Sequence, residues 1–276
     1  ANPYFWERYR RYLIEKSSID ITSINLLDEV TLPNIMNYLG NPNEPLTAPR
    51  LKRGLIIGDV QSGKTATYSG LICKAADAGY KVVILLAGIT ESLRQQTQER
   101  IDEGIVGYTI RKVDKQICEG RVGVGKDNKQ RIASSFTTCV KDFVKGSNLI
   151  STTLSEHNSL VLFVVKKNVS VLTKLHDWLK NQNMNIRTNS INHPMLLIDD
   201  EADNASINTK KDNTDPTKTN AIIRKICNLF QTANYIGFTA TPFANVFIDP
   251  DSVDIMKNAD LFPEHFIYTL PTPSSY

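Results

Sequence analysis

The sequence predicts an α/β fold: a doubly wound, mostly parallel sheet with helices on both faces. The first observation is a set of five short apolar runs, at residues 54–57, 81–87, 160–165, 195–198 and 235–238. They are continuous rather than alternating, as strands covered on both faces must be. The second is what lies between them: segments 66–78, 91–103, 169–179 and 221–230 carry apolar residues at helical spacing. Strands alternating with helices are joined by crossovers, and crossovers leave neighbouring strands parallel. The third is a glycine-rich stretch between the first run and the first of those helices. Sharp bending there marks a strand–loop–helix unit.

Composition sets the outer bounds. The chain has 276 residues, of which 41% are hydrophobic, enough for one large domain or two small ones. A net charge of +3 is mildly basic and compatible with nucleic acid. Cys73, Cys118, Cys139 and Cys227 are scattered without a C-x-x-C pair, so buried free thiols are expected rather than a zinc site or disulfides. The four histidines show no metal-ligand spacing. With no long apolar run and no signal peptide, the expectation is a cytoplasmic protein without membrane contact.

Taken in order, residues 1–49 form an expected N-terminal helical extension, and 50–276 the main α/β domain. Phe5, Tyr9, Tyr12 and Leu13 share one helical face, with Glu7, Arg8 and Arg11 largely opposite. This aromatic stripe reads as packing in preference to a base-stacking surface. A second helix is expected over 24–39, broken by the turn residues of 40–45. Gly79 is a natural stop for the helix that begins at Ala66. Residues 111–145 hold nine Lys/Arg against four acids, with Gly120, Gly123 and Gly125 suggesting a partly flexible loop. That segment is either a footprint for nucleic-acid phosphates or a solvated loop. Residues 206–220 are expected to be an exposed, mobile loop.

The chemistry concentrates after three of the strands. Gly58-Asp59-Val60-Gln61-Ser62-Gly63-Lys64-Thr65 fits G-x-x-x-x-G-K-[ST]. Glycines let backbone N–H groups converge on an anion, and the following helix adds its positive end. Lys64 would meet the β- and γ-phosphates, the Thr65 hydroxyl a magnesium ion, and Ala66 closes the cradle at the helix start. The fourth strand runs into Asp199-Asp200-Glu201-Ala202-Asp203. A carboxylate at a strand's C-terminal edge can hold Mg²⁺ beside the phosphates, and an adjacent Glu can act as general base on water. Asp200 is assigned to the metal and Glu201 to the base, with Asp199 as the alternative metal carboxylate. The cofactors implied are ATP and Mg²⁺.

The phosphate loop, the D-E-A-D strand end and Thr239-Ala240-Thr241 on the fifth strand, in that order, resemble a RecA-like core of the superfamily-two ATPases. The resemblance implies a three-layer P-loop NTPase fold and a coupling role for Thr239, Ala240 and Thr241. It also places Gly88, Thr90 and Arg94, after the second strand, and Lys167, after the third, where helicases touch the nucleic-acid backbone. A capped helix with a solvated arginine is the competing reading of residues 88–94. Residues 58–65, 86–90, 197–204 and 237–245 are more narrowly similar to the Z-one domain family of bacterial putative endonucleases. That resemblance covers roughly residues 50–276. It implies the N-terminal ATPase part of a longer, DNA-acting protein of a restriction or defence system, with methyltransferase or nuclease partners. A second RecA-like domain would complete the site, so the chain alone is expected to be a weak ATPase. No Glu-x-Lys occurs in the chain, so nuclease activity is not expected from it. The alternative from another class is a nucleotide switch that controls assembly of a nuclease complex without translocation.

Overall fold

A computed structural model of the chain describes residues 3–45, 48–58, 63–126, 133–144, 152–202, 216–241, 261 and 263–271. Its centre is a seven-stranded sheet in the order β5-β6-β2-β7-β8-β1-β9. The strands are β1 (Arg50–Ile57), β2 (Val82–Ala87), β5 (Ala133–Ser135), β6 (Leu160–Val165), β7 (Met195–Asp200), β8 (Thr232–Thr239) and β9 (Phe266–Thr269). Every pairing in it is parallel. The fold is therefore the α/β three-layer, RecA-like arrangement expected for a P-loop domain. All five expected strands are present, and the short edge strands β5 and β9 are additions.

Both faces of the sheet are covered, which is why its central strands read as unbroken apolar runs. On one face Val83, Leu85, Leu196, Ile198, Ile236 and Phe238 meet α4 (Lys64–Ala78), the N-terminal helices and the end of α5 (Glu91–Ile101). On the other, Val82, Ile84, Leu86, Met195 and Leu197 meet α6 (Val169–Asn183) and α7 (Pro216–Cys227). Strand residues alternate between these faces with a period of two, so the parity of a position fixes its neighbours.

The N-terminal helices pack onto the first face. Helix α1 (Tyr4–Lys16) buries Phe5, Trp6, Tyr9 and Leu13, so the aromatic stripe is core. Asp77 of α4 caps α1 from outside, accepting hydrogen bonds from the Phe5 and Trp6 N–H groups at 2.9 Å each. The second helical stretch is α2 (Ile21–Leu26) and α3 (Leu32–Tyr38), joined through a π-helical turn, Leu27–Thr31. Cys73, Cys139 and Cys227 are buried, but Cys118 is exposed, contrary to expectation.

Two polar segments differ from their sequence reading. Residues 108–121 are an antiparallel hairpin, β3 (Tyr108–Val113) and β4 (Gln116–Arg121), not a loop. Its two-residue turn places Asp114 and Lys115 at φ 48° and 69°, the twist that suits a tight hairpin. Of the 206–220 segment, residues from Pro216 onward belong to α7, with Thr219 buried; residues 206–215 lie outside the described residues.

Candidate nucleotide and metal site

A parallel sheet delivers all its strand-to-helix loops at one edge. The register aligns Ile57 with Thr239, Asp200 with Phe238, and Ala87 with Asp200. Gly58, Gly88, Glu201, Thr239 and the Lys166–Lys167 turn therefore emerge side by side at the C-terminal edge.

Gly58 and Gly63 bracket the glycine-rich turn, and Asp59, Val60, Gln61 and Ser62 between them lie outside the described residues. The Gly58 N–H donates to the Thr239 carbonyl at 2.9 Å, tying the turn to β8. Gly63 takes φ 71°, and a β-carbon there would meet nothing within 4 Å. Left-handed backbone, not crowding, is what asks for glycine at this position. Lys64 and Thr65 are the first residues of α4, and Ala66 follows half-buried against the core. Helices α2, α5 and α6 have side-chain caps from Asp20, Thr90 and Asn168, whereas α4 has none. Among the described residues the first-turn N–H groups of α4 have no side-chain cap, an arrangement open to an anion. The Thr65 hydroxyl accepts from Arg100 Nη1 of α5 at 3.1 Å.

Parity separates the two strand aspartates. Leu196 and Ile198 face α4, so Asp200 does too; Met195 and Leu197 face α6 and α7, and Asp199 follows them. Burial pushes the Asp200 carboxyl up to about 6. The Glu201 charge adds to that rise, the Lys64 ammonium opposes it, and Asp199 adds a further push. Asp199 is 1% exposed and already engaged: Lys167 Nζ lies 2.6 Å from Oδ1, and the Tyr235 hydroxyl donates to Oδ2 at 2.9 Å. Asp200 is thus the aspartate on the α4 face, within reach of the Lys64 charge. Among the described residues no group of three or more His, Cys, Asp or Glu could hold a metal alone.

Glu201, one residue past the strand, sits at φ 58°. Its Oε2 lies 3.5 Å from where a β-carbon on Gly88 would stand, and Gly88 itself has φ 67°. Thr239 is fully buried, and its hydroxyl accepts from the Thr241 N–H at 3.0 Å. With Ala240 between them, these residues form a tight turn at the end of β8, joined to the phosphate loop through Gly58.

Two of the four candidate nucleic-acid contacts are corrected. Arg94 is 0% exposed; its guanidinium pairs with Glu91 at 2.7 Å and donates to the Cys139 carbonyl at 3.3 Å. Lys167 is 2% exposed and held in the pair with Asp199. Lys167 cannot present charge to a phosphate backbone without leaving buried Asp199 uncompensated, and Arg94 has no exposed surface from which to do so. Thr90 remains exposed as the N-cap of α5, while Gly88 is buried behind it. Arg100 escaped the sequence reading altogether, since a solvent-facing arginine on a helix carries no local signal.

A parallel three-layer sheet with a glycine-bracketed turn, a first-turn lysine and an acidic strand end on the same face defines a helicase-like P-loop core. More particularly, the chain belongs to the family described as type III restriction enzyme, res subunit, whose model matches residues 25–244. Among solved structures it is similar to a DUF1998 helicase, MrfA, bound to DNA. That likeness is 10% in identity with a TM-score of 0.43, and covers 96% of this chain but 29% of the other. No curated protein matches. Among the described residues no helix is long and apolar enough to cross a membrane.

Proposed function

We propose that the chain is the ATP-binding, Mg²⁺-dependent ATP-hydrolysing core of a helicase-like, DNA-acting protein in a restriction or defence system. The observation that carries this reading is that Asp200 shares the α4 face of the sheet with Lys64 and Thr65. Two halves of a metal–phosphate site, distant in sequence, meet there. Gly58, Gly63 and the α4 N-terminus cradle the phosphates, and Asp59, Val60, Gln61 and Ser62 belong to the same motif. Lys64 binds the β- and γ-phosphates, Thr65 and Asp200 hold Mg²⁺, and Glu201 orients the attacking water and takes its proton. Magnesium supplies charge neutralisation at the phosphate oxygens. Thr239, Ala240 and Thr241 relay the state of the loop through the Thr239–Gly58 bond. In this reading residues 1–49 buttress the ATPase domain, and the Z-one family is the narrower home. A second RecA-like domain completes the site, and methyltransferase or nuclease partners act beside it.

Calorimetry tests the site: the wild type should bind Mg-ATP and Lys64→Ala should not, and equal affinities would dismiss the assignment. In the full-length protein, DNA should stimulate hydrolysis with an affinity that falls as salt rises. Absence of stimulation by single- or double-stranded DNA would leave a nucleotide switch that does not act on DNA.

A further inference from the structure

We propose that Lys167 is a positioning residue for hydrolysis: paired with Asp199, it fixes the Glu201 backbone and ties it to the Gly88 loop. The inference rests on the reading of Glu201 as general base. Lys167 lies where β6 turns into α6, just before the Asn168 cap. From that point it reaches three segments. Its N–H donates to the Gly88 carbonyl at 2.8 Å. Its ammonium sits 2.6 Å from Asp199 Oδ1 and donates to the Glu201 carbonyl at 2.7 Å. Strand ends β2, β6 and β7, adjacent in the sheet, are thereby joined through one side chain and its own backbone.

Stability alone is a poor reason for such a pair. Both charges are almost fully buried, and the cost of removing two ions from water about offsets what their attraction returns. An apolar pair of similar volume would hold the fold as well. What an apolar pair could not do is hold the Glu201 carbonyl. Glu201 is a residue with a β-carbon in left-handed backbone, an unfavourable conformation that persists only where the surroundings impose it. The Lys167 ammonium is the donor that imposes it from one side. Gly88 lies on the other side, where a β-carbon would stand 3.5 Å from Glu201 Oε2, an ordinary contact distance. A displacement of the Gly88–Thr90 loop therefore reaches the Glu201 backbone through Lys167.

The test compares full-length wild type, Glu201→Gln, Lys167→Met and the double variant Lys167→Met/Asp199→Leu. Mg-ATP turnover, nucleotide affinity and urea unfolding are measured for each. Lys167→Met alone should be strongly destabilised, because it strands the Asp199 charge. The double variant should recover stability and keep nucleotide affinity within about threefold, yet lose about tenfold or more in kcat. Recovery of both stability and kcat would overturn the proposal, leaving the pair structural. Turnover of Glu201→Gln equal to wild type would instead remove Glu201 as base and the proposal with it. Should the double variant not fold, Tyr235→Phe decides, since it loosens Asp199 while its ring stays packed. A several-fold fall in kcat at constant KM supports the positioning role; unchanged kcat refutes it.

Discussion

Asp102 offers a quantitative test of the packing that holds the far end of α5. It lies in the π-helical turn Asp102–Val106 that ends this helix and is 2% exposed. Gln98 Nε2 donates to its Oδ1 at 2.8 Å, and the Cys139 thiol lies 3.6 Å from Oδ2. Burial pushes the carboxyl up to about 6 from 3.8. Hydrogen bonds from Gln98, Thr109 and Cys139, and the charge of Arg94, oppose the rise without cancelling it. The folded state therefore binds a proton that the unfolded chain has released between roughly pH 4 and pH 6. Across that window stability falls as pH rises, and the penalty is complete above about pH 6. About two pKa units at 1.36 kcal/mol each give an upper estimate of about 3 kcal/mol. Asp102→Asn removes the titration while keeping the shape. Its stability relative to wild type should thus improve by about 1–3 kcal/mol between pH 4.5 and pH 7.5. Hydrogen bonds lost at every pH shift the two curves by a constant and leave that change intact. Urea unfolding across the range measures it. Parallel curves for the two proteins would show that Asp102 titrates alike folded and unfolded, and would refute the argument.

Two further outcomes concern the supports of the site. Gly54→Ala places a β-carbon against the Phe266 ring, which stacks on Tyr38, so the ring must shift from its place beside β1. A loss of about 1–3 kcal/mol is expected, smaller in a Phe266→Ala background; additivity of the two changes in a double-mutant cycle would contradict the contact. Asp77→Ala strips the external cap from α1 and should cost about 1–2 kcal/mol in urea unfolding, whereas a neutral result would show that water serves those N–H groups equally well.

The legible parts of the sequence are those where local pattern and tertiary environment coincide. Strands β2 and β6 are buried on both faces, so every residue had to be apolar and the run announced itself. Strand β5 is three residues long with two serines, and β9 is a four-residue edge; neither has a face buried deeply enough to leave a pattern. The β3–β4 hairpin was hidden for another reason. Its residues are largely exposed and its turn is Asp114-Lys115, without the glycine that usually marks such a reversal. The candidate site was legible insofar as motif and order nominate Lys64, Thr65 and Asp200, which the fold brings to one edge of the sheet. The reading failed at Arg94 and Lys167, whose place after a strand suggested an outward charge. Burial beside Glu91 and Asp199 is a property of the folded sheet edge, and for Lys167 the partner arrives from another strand.

The two adjacent aspartates show what the sheet adds to the motif. In sequence Asp199 and Asp200 are equivalent carboxylates at the end of an apolar run, and only a preferred spelling of the motif favours the second. In the sheet they are separated by the period of two, which sends successive side chains to opposite faces. One face holds α4 with Lys64 and Thr65; the other holds Lys167 and Tyr235. A register slip by one residue would exchange them, placing Asp200 against a buried lysine and Asp199 on the α4 face. The apolar residues before them prevent this, because Leu196 and Ile198 must face α4 while Met195 and Leu197 face α6 and α7. The packing of the strand thereby fixes the chemistry at its end. One acid is left beside the phosphate loop, and its neighbour is committed to the ion pair that holds Glu201.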